Sequence, residues 1–138
     1  PSFYRLSKIA KRYNIGVDAL LFGEDAHMSS YFVTRSGKGK STEKHRNYTY
    51  ESLATAFRGR KADPFVVTIE PLEGDLRHNP NNYSGQEFDY VLEGTLEILI
   101  GNKELILNPG DSIYFDAQQK HCMRALGGKP GKFLCVVI

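Results

Sequence analysis

No run in this 138-residue chain approaches the ~20 consecutive apolar residues that a membrane-spanning helix requires, so no membrane association is expected. No charged leader followed by an apolar stretch opens the chain, so no secretion signal is read and a cytoplasmic location is expected. The first residue is Pro1 rather than methionine, and the opening reads as mid-domain, which points to sequence upstream. Cysteine is scarce. Cys122 and Cys135 are the only two, and they do not form a CxxC, so a structural zinc site is not indicated. They fall in two candidate neighbouring strands, where a disulfide is geometrically possible. Without a secretion signal, two buried thiols are expected. Long repeats are absent as well.

What is present divides unevenly. Residues 1–61 carry 12 Lys/Arg against 5 Asp/Glu, and residues 62–138 carry 6 against 11. A balance of +7 in front and −5 behind, hidden in a net +2, suggests two jobs. The basic half could lie near nucleic acid, or it could be a solvated lysine-rich linker. The length argues for one main domain with a small appendage.

The first 23 residues, "PSFYRLSKIAKRYNIGVDALLFG", read as helical. Phe3, Leu6, Ile9, Ala10 and Tyr13 share one face, Ser2 is a candidate N-cap, and "NIG" signals a stop near Asn14. Asp18 can start a second short helix that ends at Gly23. Two such helices cannot bury a core of their own. "RSGKGKSTEKHR" reads as a flexible linker, flanked by the candidate strands "SSYFVTR" and "NYTYESLA". From Phe65 the pattern is all β. "PFVVTIEP", "FDYVLEG", "TLEILIG", "KELILN", "DSIYFDA", "KHCMRAL" and "KFLCVVI" follow at short intervals, separated by Gly94, Gly101, Pro109-Gly110 and Gly127-Gly128. Many short, evenly spaced strands predict a sandwich or barrel.

In "EFDYVLEG", alternation puts Glu87, Asp89 and Val91 on one face and the apolar set Phe88, Tyr90 and Leu92 on the other. The first set points into the barrel. The second needs cover from the N-terminal strands or from a second subunit, so a homodimer is expected. A buried carboxylate such as Glu87 costs several kcal/mol unless it is paired or hydrogen-bonded. Its partner could be His121, a ligand amine or hydroxyl, or a metal. Tyr48, Tyr50 and Phe65 are candidate aromatic lining, with core packing the alternative.

"EFDYVLEG" followed by "LNPGDSIYFDAQQKH" resembles the cupin family of jelly-roll barrels. That resemblance implies a cupin double-stranded β-helix over residues 64–138, preceded by a linker with N-terminal barrel strands over 26–63. Glu87 and Gly94 have the separation of the Glu and Gly in the first family motif. Gly110 and His121 have the separation of the ends of the second, although Asp116 and Gln118 replace its Pro and Gly. The two motif histidines are missing. Depending on spacing they would fall at Asn81 and Tyr83, or at Pro80 and Asn82, and His78 lies three residues short of Asn81. Of the usual metal ligands only Glu87 and His121 remain. Stable sites want three or four protein donors, so a ligand pocket without a resident cofactor is expected, a divalent transition metal being the alternative. Asn81, Tyr83, Glu87, Asp89, His121 and Met123 are its candidate ligand-binding residues.

"LSKIAKRYNIGVDALLFG" is similar to the last two helices of lambda-repressor-like (XRE-type) helix-turn-helix domains, which makes residues 1–25 a remnant of such a domain. The two resemblances together imply a non-enzymatic sensor. It would be the cupin domain of a bacterial transcriptional regulator, coupling a small-molecule effector to DNA bound through the missing N-terminal helices. The alternatives are a small metal-dependent cupin enzyme, either isomerase or dioxygenase, and a structural dimerisation barrel.

Overall fold

The computed structural model describes residues 30–42, 47–76 and 80–138. The helical pattern of residues 1–23 and His78 lie outside them. Among the described residues nine strands form: β1 (Lys40–Ser41), β2 (Tyr48–Ser52), β3 (Asp63–Ile69), β4 (Gln86–Glu93), β5 (Leu96–Ile100), β6 (Lys103–Leu107), β7 (Ser112–Asp116), β8 (His121–Ala125) and β9 (Gly131–Val137). They make a six-stranded sheet in the order β1-β2-β3-β9-β4-β7 and a three-stranded sheet in the order β6-β5-β8. The strand pairings are antiparallel. Over the described residues the fold is all-β, two sheets face to face, a jelly roll as expected. Among the described residues no helix is long and apolar enough to cross a membrane.

Alternation explains why the strands assemble this way. On β3, Phe65, Val67 and Ile69 are buried while Val66 and Thr68 are half-exposed. On β9, Phe133, Cys135 and Val137 do the same. These inward sets meet Leu96 and Ile98 of β5 and Met123 and Ala125 of β8 in one core. On β4, Glu87, Asp89 and Val91 are buried and Tyr90 and Leu92 exposed, so the parity read from sequence holds, and two carboxylates enter the interior.

The β4–β5 hairpin turns at Gly94, whose φ is +78°. A side chain there would be strained twice over. The backbone conformation disfavours an L-residue, and an added Cβ would lie 3.0 Å from both Gly131 Cα and the Pro130 carbonyl oxygen.

Three local expectations are corrected. "SSYFVTR" does not form a strand over residues 31–35. Tyr31, Phe32 and Val33 are exposed, and Thr34 is tied by its hydroxyl to the Leu53 carbonyl rather than by a backbone ladder. The stretch read as linker instead supplies β1, pairing Lys40 with Ser52 and Ser41 with Glu51. Gly39 permits that approach, because a Cβ there would meet Glu51 Cγ at 2.5 Å and the Ser52 carbonyl oxygen at 2.6 Å. The two cysteines do not lie on neighbouring strands. Cys122 is on β8 of the small sheet and Cys135 on β9 of the large one, and both are free, buried thiols.

Candidate functional site

Four strands build this end of the barrel, three of them with polar side chains. β4 carries Glu87 and Asp89 two residues apart on its inward face. β9 lies beside it and pairs Cys135 directly with Asp89 and Val137 with Glu87. β7, on the other flank of β4, pairs Phe115 with Glu87. β8 of the opposite sheet begins at His121. The segment before β4 is fastened over this end by backbone hydrogen bonds. Asn81 and His121 exchange two at 2.8 Å each, Tyr83 N–H donates to the Ala117 carbonyl at 2.8 Å, and Ala117 N–H donates to the Gly85 carbonyl at 3.0 Å. That clamp brings the Tyr83 ring edge-on to His121, with centroids 5.7 Å apart. Phe115 closes on the imidazole from another side at 4.9 Å.

The Tyr83 hydroxyl donates to Glu87 Oε1. Burial, and then the neighbouring Glu87 carboxylate, push the phenol above its ordinary range, so Tyr83 stays a donor. His121 Nδ1 lies 2.7 Å from the Gln119 carbonyl oxygen. A carbonyl only accepts, so Nδ1 carries the proton, and in the neutral ring Nε2 keeps its lone pair. A carbonyl holding one ring nitrogen in this way is what orients metal-binding or base-like imidazoles.

Asp89 is 0% exposed, and neither of its oxygens accepts a hydrogen bond. The groups facing it are the Glu87 carboxyl and the Cys135 thiol, close enough to interact with it yet not in well-formed hydrogen-bond geometry. Burial and then the Glu87 charge raise the Asp89 carboxyl well above the usual carboxylate range. Burial and then the two carboxylates likewise raise the Cys135 thiol. One donor atom each from Glu87, Asp89 and Cys135 fit within 4.8 Å of one another, the cluster of metal-capable side chains found among the described residues.

The candidate residues read from sequence therefore divide. Tyr83, Glu87, Asp89 and His121 are buried together at one end of the barrel. Asn81 is half-buried and joins them through its backbone. Met123 belongs to the hydrophobic core, with its N–H and carbonyl both bonded to the Tyr48 hydroxyl. Of the pair singled out for a metal, Glu87 belongs to the three-residue cluster with Asp89 and Cys135, and His121 is not a member of it. Sequence reading missed Cys135 as a donor and Phe115 as the wall beside His121. The inward parity of Cys135 was legible, but its pairing with Asp89 depends on β9 inserting between β3 and β4.

The solved structures most informative about this fold belong to an enzyme. A crystal structure of HppE with Fe(II) superposes with a TM-score of 0.70 at 21% identity, covering 99% of this chain and 76% of that one. Hydroxypropylphosphonic acid epoxidase from S. wedmorenis gives 0.68 at 23%, covering 99% and 75%. HppE with Co(II) and substrate gives 0.64 at 23%, covering 99% and 75%. No curated protein matches the chain. The likeness at these identities is one of fold; the structures named here are of an epoxidase, crystallised in forms that include Fe(II) and Co(II), and they count against the expectation of a non-enzymatic barrel. The Cupin domain profile matches residues 65–137, which span β3 to β9 and contain Tyr83, Glu87, Asp89, His121 and Cys135, and the chain belongs to the cupin family.

Proposed function

We propose that this barrel is a small metal-dependent cupin enzyme, of the oxygen-using dioxygenase kind rather than an isomerase, acting on a small, partly polar organic molecule. The observation that carries the reading is Asp89, fully buried beside Glu87 with no hydrogen bond to either oxygen. Two carboxylates packed into a core are costly without a compensating positive charge, and a transition-metal ion supplies one. The fold neighbours crystallised with Fe(II) and Co(II) support the same choice.

The donors present fit a metal. Glu87 would hold it, with Asp89 adding negative charge beside it and His121 facing the same end of the barrel from the opposite sheet. Such a metal, when bound, supplies Lewis acidity and one-electron chemistry toward oxygen. The neighbouring carboxylates Glu87 and Asp89 would add negative charge around a bound cation. The chain's own residues do the rest. The Tyr83 hydroxyl holds Glu87 Oε1. The Gln119 carbonyl fixes the His121 ring and directs Nε2 away from it. Phe115 and the Tyr83 ring exclude water from the imidazole and lower the local dielectric, which strengthens charge interactions there. Tyr83 offers an apolar face to the organic part of a substrate.

The test is metal analysis and oxygen uptake on protein purified without chelator and reconstituted anaerobically with Fe(II). A panel of small hydroxy acids and related polar molecules should include one that stimulates oxygen consumption in the wild type and not in Glu87→Gln or His121→Ala. Wild-type protein that takes up no transition metal at micromolar concentration would overturn the reading.

A further inference from the structure

We propose that the cation in this barrel is held by a mixed carboxylate–thiolate set, Glu87, Asp89 and Cys135, making the centre selective for borderline metals such as Zn(II), Co(II) or Fe(II) over Mg(II), Ca(II) or Mn(II). The inference rests on the metal-dependent reading above and deepens it by naming the donors on the β4–β9 wall.

The argument begins with register. Asp89 and Cys135 are directly paired across β4 and β9. Paired residues in an antiparallel sheet point to the same face with their Cβ atoms only ~4.5–5.5 Å apart. Glu87 follows two residues along the same face of β4. The three donors are thus brought together by strand pairing, without help from a loop. They are 8%, 0% and 4% exposed for Glu87, Asp89 and Cys135, so bulk water does not solvate them.

Asp89 supplies the second, independent observation. A fully buried carboxylate whose two oxygens both lack a donor is an exception to the rule that buried polar groups are satisfied. Its oxygens face the Glu87 carboxyl and the Cys135 thiol, which interact with it without reaching well-formed hydrogen-bond geometry. Around a tetrahedral ion with metal–ligand lengths of ~2.0–2.3 Å, donor atoms stand about 3.5 Å apart. The present limit of 4.8 Å is wider by about an ångström, within reach of side-chain rotation in Glu87 and Asp89.

Donor chemistry then selects the ion. Carboxylates alone would suit hard cations, which bind oxygen. A thiolate adds a soft ligand that Mg(II) and Ca(II) do not take and that Zn(II), Co(II) and Fe(II) do. Binding displaces the thiol proton of Cys135 and the proton left on the carboxyl pair, so three anionic donors meet one dication. His121 stands outside this cluster. Glu87 is common to both donor sets.

The experiment titrates the reduced full-length chain with Co(II). It follows the near-ultraviolet thiolate-to-cobalt charge-transfer band and measures stoichiometry by elemental analysis, with Mg(II) as competitor. The inference expects one Co(II) per chain with that band, unaffected by excess Mg(II). The band should persist in Cys122→Ala and His121→Ala, vanish in Cys135→Ser, and be accompanied by an affinity loss of at least about 10-fold in Asp89→Asn. If Cys135→Ser does not fold, X-ray absorption of the Zn(II)-loaded wild type decides, one sulfur neighbour supporting the site and none overturning it. Stoichiometric metal that is lost in His121→Ala but kept without a thiolate band in Cys135→Ser overturns this donor set while leaving the metal-dependent enzyme standing. A wild type that binds no metal overturns both.

Discussion

Asp89 on β4 and Cys135 on β9 are a directly paired cross-strand couple, both buried, with neither Asp89 oxygen in a well-formed hydrogen bond. Strand pairing of this kind normally joins apolar partners in a core, as it does for the neighbouring pair Val91 and Phe133. A carboxylate at this position therefore weakens the metal-free fold, and what it costs depends on pH.

The sign follows from its raised value. An unfolded aspartate titrates near ~3.9, whereas burial and Glu87 hold Asp89 protonated to higher pH in the fold. Between those two values the folded state retains a proton that the unfolded state has released, so stability falls as pH rises through the window. Asp89→Asn should remove that dependence, which amounts to at most about 1.4 kcal/mol per pH unit for one proton. Urea denaturation of chelator-treated protein from pH 4 to 8 should show the variant gaining on the wild type toward high pH. Parallel curves would refute the assignment.

Tyr83→Phe removes the donor to Glu87 Oε1 and keeps the ring against His121. Loss of a buried hydrogen bond to a charged acceptor should cost about 1–3 kcal/mol in the metal-free protein. The fold should survive, since the backbone clamp through Ala117 is untouched. Thermal melts with matched circular dichroism would check both statements.

Tyr48→Phe probes the join between the sheets. β8 is an edge strand of the three-stranded sheet, and the Tyr48 hydroxyl accepts from Met123 N–H at 3.0 Å and donates to the Met123 carbonyl at 3.1 Å. Truncation leaves the buried N–H without its acceptor, while Asn47 Nδ2 still reaches the carbonyl at 3.4 Å. We expect a loss of about 1–3 kcal/mol, measured by chemical denaturation. A loss below about 0.5 kcal/mol would mean that water replaces the phenol.

Gly94→Ala should destabilise the β4–β5 hairpin by at least about 1–2 kcal/mol, the ordinary cost of placing an L-residue in the left-handed region. The close approach of Gly131 and Pro130 adds to it. Gly127→Ala makes a useful comparison. It shares the positive φ, at +75°, but has no atom within 4 Å of the added Cβ, so the difference between the two variants isolates the crowding.

Much of this protein could be read from local pattern. The period of two along "EFDYVLEG" put Glu87 and Asp89 inside and Tyr90 and Leu92 outside, because side chains on a strand must alternate. The glycine-punctuated apolar runs announced β3 to β9, and the Glu87–Gly94 and Gly110–His121 spacings announced the cupin family. Other features depend on which strand lies beside which, and local pattern is silent on that. Cys135 becomes Asp89's neighbour only because β9 inserts between β3 and β4, far from either in sequence. The same insertion separates Cys135 from Cys122. The strand expected at "SSYFVTR" fails while a Gly-Lys-Ser stretch pairs with β2, since an edge position is taken by whichever segment can approach closely, and Gly39 lacks the Cβ that would obstruct it. The sequence by itself determined which faces are buried and that a carboxylate pair enters the core. Only the tertiary structure decided what stands opposite that pair, because opposition is a property of strand order, and strand order is set by the packing of the whole barrel.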